Sequence, residues 1–158
     1  MDEMQFWSLI ERAWLAVGGM GRFRKRLAKG QLCEEQAEEL IDALEIVIPA
    51  LSAALDELSQ EDLLGFDRLL ERKLYDIDRA EVQQYTDGSD DGFLYARGFI
   101  VVAGQAYYEA VHVNPSIAMM DLECEEMCYI SAHLYREKFG EMPESGICRE
   151  SGSNQAGW

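Results

Sequence analysis

Long apolar runs are missing from this chain. In 158 residues the longest are the nine from Ala13 to Gly21, closed by Arg12 and Arg22, and the seven from Gly98 to Gly104, closed by Arg97 and Gln105, against the ~18 residues that a membrane span needs. The opening Met-Asp-Glu-Met-Gln-Phe-Trp has neither the positive n-region nor the apolar h-region of a secretory signal. These absences predict a cytoplasmic protein that does not enter a membrane. In that compartment Cys33, Cys124, Cys128 and Cys148 are expected as thiols.

Positive charge is scarce as well. The chain has 14 Lys and Arg against 30 Asp and Glu, a net charge of −16. Five of the cations sit in one knot, Arg22, Arg24, Lys25, Arg26 and Lys29, so residues 31–158 hold eight positive and 27 negative side chains, a net of −19. Such a surface repels nucleic-acid phosphates and anionic lipid, so neither is expected as a partner, whereas a basic protein would be attracted from about a Debye length. An acidic surface kept for solubility explains the same charge.

Catalytic signatures are thin. His112 and His133 are the only histidines, and no nucleophile elbow, Walker loop or GxGxxG accompanies either. Cys124 and Cys128 share a helix face, but His133 is turned away from them and no Cys-x-x-Cys pairs occur, so buried thiols are the better reading than zinc. Asp87, Ser89 and Asp91-Gly92 match the opening of a calcium loop, yet Gly98 stands where the bidentate glutamate belongs; a helix N-terminus with carboxylates near the dipole's positive end reads better. Neither a metal nor a cofactor is expected.

Helical periodicity is what the chain has in quantity. Forty-eight per cent apolar composition is that of a folded globule, and 158 residues suit one domain with a single core. Phe6, Ile10, Trp14 and Val17 predict a helix ending at Gly18-Gly19. A short helix is expected over Arg22 to Ala28. From Glu34 to Leu58 the apolar spacing is helical, and Pro49 predicts a break into two shorter helices. Ser59 reads as an N-cap for a long helix to about Tyr85, with Leu63, Phe66, Leu70, Leu74 and Ile77 inward. Gly92 to about Val113 predicts a central apolar helix, its glycines tolerable where neighbouring backbones approach closely, and Leu122 to Phe139 a last one closed by Gly140. No alternating strand and no internal repeat appears. The expectation is an all-α bundle of about six helices over residues 1–140, with an irregular tail, 141–158, whose final Trp158 could dock back.

One charged side chain lies within the central apolar helix. Arg97 is always ionised, so its burial calls for carboxylates, and Asp87, Asp90 and Asp91 lie one to three turns upstream. The candidate binding residues are therefore Asp87, Asp90, Asp91, Tyr95 and Arg97, joined from the last helix by Glu123, Glu126 and Tyr129.

The run Asp87-Gly88-Ser89-Asp90-Asp91-Gly92-Phe93-Leu94-Tyr95-Ala96-Arg97-Gly98-Phe99-Ile100, with Phe6-Trp7-x-x-Ile10-Glu11 before it and Tyr107-x-x-Ala110 and Asn114-Pro115 after it, resembles the bacterial DUF4240 family. The likeness is good over about residues 59–139 and poor from Val17 to Leu58. Ala96 replaces the aromatic usual before the arginine, Phe99 a common tryptophan, and Asn114 an aspartate. The resemblance implies a soluble helical domain; the family has no settled activity. It raises the interest of the Asp90, Asp91 and Arg97 cluster.

Two functions of different class fit these features. One is an acidic binding module, most concretely an immunity-type protein that presents carboxylates to the basic active site of a toxin or nuclease. The other is an enzyme or small-ligand receptor with a cleft around Asp90, Asp91 and Arg97. A convex acidic face would favour the first, and a deep pocket where Arg97 and carboxylates converge the second.

Overall fold

The computed structural model describes residues 1–86 and 88–158. Among them the chain is all-helical, with no strand, and folds as one bundle around a shared apolar core. Eight α-helices form it, more than the six expected: α1 (Glu3–Trp14), α2 (Gly21–Leu27), α3 (Glu34–Asp56), α4 (Gln60–Asp76), α5 (Ala80–Gln83), α6 (Asp90–Val102), α7 (Gln105–Val113) and α8 (Glu125–Phe139). The extra elements come from two breaks at places where periodicity alone continued.

The first break ends α4 early. Ile77 and Asp78 leave helical geometry ahead of the one-turn α5, and both are fully buried. The second divides the long apolar segment at Gly104, whose φ of 106° and ψ of 169° no L side chain adopts comfortably. A Cβ there would overlap Arg24 and Glu11. The carbonyls freed at the end of α6 find side-chain donors instead: Trp14 Nε1 donates to the Val102 oxygen at 2.7 Å and Arg24 Nε to the Ala103 oxygen at 2.8 Å. Arg24 also pairs with Glu11 and covers the Trp14 ring. Part of the basic knot is thus a structural clamp on a helix end.

Pro49 does not divide its helix. α3 runs unbroken through it for 23 residues. Pro49 itself is exposed, while Leu44, Val47, Leu51 and Leu55 on the same helix are buried. Tertiary burial on that face outweighs the ~3 kcal/mol that an interior proline costs.

α6 and α8 cross at the centre of the bundle. Gly98 makes this possible, because a methyl group there would meet the Cys124 carbonyl and lie 2.7 Å from Cys128 Sγ. The contact is tied by the Cys124 amide donating to the Tyr95 oxygen at 2.9 Å and by the Cys128 thiol donating to the Leu94 oxygen at 3.3 Å. Gly140 closes α8 in the left-handed conformation, as expected. The tail beyond it is irregular apart from a single turn at its end, and it packs across α4, α6 and α8.

Candidate functional site

The inward face of α4 carries acids as well as leucines. Asp67 and Glu71 are one helical turn apart, between Leu63, Phe66, Leu70 and Leu74, and are 0% and 6% exposed. Ionised carboxylates in a core demand partners. Ser131 Oγ of α8 donates to Asp67 Oδ1 at 2.7 Å. The cation comes from the tail: Arg149 Nη2 lies 2.5 Å from Glu71 Oε1 and 3.4 Å from Asp67 Oδ1, its Nη1 donates to the Cys128 carbonyl, and its guanidinium lies 5.5 Å from the centre of the Tyr129 ring. Burial pushes the Asp67 carboxyl up, against the opposing pull of Ser131 and Arg149.

A second polar knot ties down the end of the tail. Asp78, fully buried, accepts from the amides of Gly152 at 3.0 Å and Asn154 at 2.9 Å and from Trp158 Nε1 at 3.1 Å. Trp158 meets Phe93 edge to face. Arg97 sits beside this knot, fully buried, donating to the Leu74 carbonyl at 2.9 Å and to Ser151 Oγ at 3.0 Å, with its guanidinium over the Phe93 ring. Ser151 Oγ in turn donates to the Asp90 carbonyl at 2.6 Å.

Among the described residues no carboxylate reaches ion-pair distance of Arg97. Among the described residues its burial is met by carbonyl and hydroxyl acceptors and an aromatic face, not by Asp90 or Asp91, and desolvation lowers its basicity. Asp87 lies outside the described residues. Asp90 and Asp91 are exposed in the first turn of α6, where Ser89 Oγ caps the helix by accepting from the Gly92 amide at 3.0 Å. Tyr95 lies half-buried on the outer side of α6, near Glu125. Tyr129 joins it at the edge of the tail, its hydroxyl pushed up to about 12 by burial and by Glu150.

Glu123 and Glu126 face elsewhere, into a groove between α3 and the 119–137 segment. Three adjoining depressions compose it, of about 540, 510 and 350 Å³. The first two share Ile41 and Asp42, and the first and third share Ile48 and Glu126. Its floor is apolar, with Ile41, Leu44, Ile48 and Met119. Among the described residues nine carboxylates line it, four in the first segment, three more in the second and two more in the third, and no lysine or arginine does. Tyr129 belongs to the third segment. Asp90, Asp91, Tyr95 and Arg97 lie outside the lining, so the seven described candidates do not converge on one cleft.

Among the described residues no three His, Cys, Asp or Glu side chains gather as a metal site would require. All four cysteines are free, and burial raises the Cys124 and Cys128 thiols to about 12, far from a thiolate at neutral pH. No helix among the described residues is long and apolar enough to cross a membrane.

Sequence reasoning missed Asp67, Glu71, Asp78 and Arg149. The first two carried a signal, since positions 67 and 71 fall on the stripe marked by Leu63, Phe66, Leu70 and Leu74. Arg149 carried none, because the tail has no periodicity to say which way a side chain faces.

An all-α bundle with a carboxylate-lined groove and a buried guanidinium clamp is the class that these features define. The model of a family described as a protein of unknown function, DUF4240, matches residues 1–137, and this chain belongs to that family. The match takes in the Val17 to Leu58 stretch where the resemblance was poor. No curated protein and no solved structure matches the chain.

Proposed function

We propose that this chain is a binding module whose α3/α8 groove receives a basic, amphipathic segment of a protein partner. The carrying observation is the groove's make-up: among the described residues, nine carboxylates and no cation around a floor of isoleucine, leucine and methionine. Apolar residues at helical spacing on the partner would fill the floor, and lysines or arginines flanking them would meet the rims. A flexible methionine at one end, Met119, lets the floor adapt to different side chains. The net charge of −16 steers such a partner from a distance. An immunity-type protein that covers the basic active site of a toxin or nuclease is the most concrete form of this reading.

A synthetic amphipathic helix with leucines on one face and lysines and arginines on the other tests it by fluorescence anisotropy. Binding should weaken at least about tenfold for Asp42→Lys/Glu45→Lys, and much less for Glu57→Lys/Glu61→Lys, which makes the same change in net charge away from the groove. Equal weakening by both would mean that bulk charge alone attracts the peptide, and would count against the groove.

A further inference from the structure

The residues that surround the Arg149 guanidinium lie within the span that the family model matches, and the arginine does not. Asp67, Glu71, Cys128 and Ser131 all fall within residues 1–137, the span that the family model matches, whereas Arg149 lies beyond it. Left to itself, that span would hold two buried carboxylates with no cation between them, a costly arrangement. Among the described residues each still has one oxygen without a partner, Asp67 Oδ2 and Glu71 Oε2, so the pocket offers more acceptors than Arg149 uses. We propose that the Asp67/Glu71 pocket is a guanidinium-binding site for an arginine side chain, occupied here by Arg149 as a built-in ligand that an arginine from another polypeptide can replace.

The geometry selects guanidinium over ammonium. Nη1 and Nη2 of Arg149 point to different acceptors, the Cys128 carbonyl on one side and the two carboxylates on the other, and the plane between them lies near the Tyr129 ring. A planar fork spans these acceptors at once; a lysine ammonium, a point charge, satisfies one side only. The strap that delivers Arg149 is suited to exchange. Its end is held by hydrogen bonds from Gly152, Asn154 and a half-exposed Trp158 to Asp78 and by those that link Ser151 to Arg97 and Asp90, with no helix longer than one turn to anchor it. The site stands on α4 and α8 beneath the tail and does not depend on the groove between α3 and α8.

Chemical rescue in the full-length chain tests the proposal. Arg149→Ala should lower the thermal midpoint, and N-acetylargininamide or guanidinium chloride below about 50 mM should restore part of the loss, while N-acetyllysinamide and sodium chloride at equal ionic strength should not. The wild type should show no such gain, and Arg149→Ala/Glu71→Gln should lose most of it. A second arm keeps the question open to refutation where Arg149→Ala does not fold. Trp158→Ala frees the tail's end and leaves the pocket intact; it should bind a labelled peptide of residues 145–158 at least about tenfold more tightly than the same peptide carrying Arg149→Lys. Equal response to arginine and lysine probes, or no response to either in the variants that fold, overturns the assignment.

Discussion

Arg97 and Arg149 are both buried guanidinium groups, and their company differs. Arg149 faces two carboxylates; among the described residues Arg97 faces a carbonyl, a hydroxyl and a ring, with its Nε unpartnered. Neutral replacement should therefore be milder at Arg97 than at Arg149. Arg97→Met should be tolerated better than Arg97→Ala in chemical denaturation, because methionine refills the volume while both remove an incompletely satisfied charge. Equal losses would show that volume is not what this side chain supplies. Arg149→Met should cost about 3–5 kcal/mol, since it leaves two carboxylates buried without their cation. The loss should also depend on pH. Burial raises the folded-state pKa of Asp67, with Glu71 adding and Ser131 and Arg149 opposing, so the folded protein keeps this proton longer than the unfolded chain. Its contribution is then complete below the ordinary aspartate range and fades as pH rises through the raised value. Removing Arg149 takes away an opposing pull, so in Arg149→Met that decline should extend to higher pH than in the wild type. Denaturation midpoints at a series of pH values from 4 to 8 would show it, and parallel profiles for the two proteins would contradict it.

At the scale of the helix, two residues that look like faults mark opposite outcomes. Pro49 lies in an unbroken helix and is exposed, so Pro49→Ala should stabilise the protein by about 1–3 kcal/mol, read as a higher denaturation midpoint. Gly98 lies where α6 crosses α8, and Gly98→Ala should destabilise by at least about 1–3 kcal/mol despite alanine's better helix propensity, because the methyl meets the Cys124 backbone. A more stable Gly98→Ala would mean that the crossing can open. These cases also show what sequence makes readable. Helix faces were legible at α1, α4 and α8, where apolar side chains recur every three or four residues and the caps Ser59 and Gly140 are local signals. The break at Gly104 was not, because its causes, Arg24 and Trp14, come from far away in the chain. Nor was the continuity of α3, since burial of its inner face decides that and local propensity does not. Of the candidate site, Arg97's burial was legible from its apolar neighbours; its partners were not, because Ser151 belongs to a tail without periodicity.

Over the whole molecule the charge is a cost to folding. A net charge of −16 on a chain of this size repels itself, and the exposed ion pairs, such as Arg72 with Asp76 at 3.9 Å, return little. Raising sodium chloride from 20 to 300 mM should therefore lift the thermal midpoint, by about 2–4 °C for each kcal/mol of repulsion screened. A falling midpoint would show that attractive pairs outweigh the repulsion. Groove binding should respond in the opposite sense, since the same salt weakens attraction to a basic peptide.

The clamp at the end of α6 also bears on how quickly the bundle can assemble. Trp14 reaches Val102 across 88 positions and Arg24 reaches Ala103 across 79, while Glu71 and Arg149 are separated by 78. Each such contact closes a long loop before it returns any stabilisation, and chains dominated by distant contacts fold slowly. The end of the sixth helix cannot be capped until residues from the first two have reached it. The molecule has the secondary structure of a fast folder, tied at its centre by contacts that are slow to close.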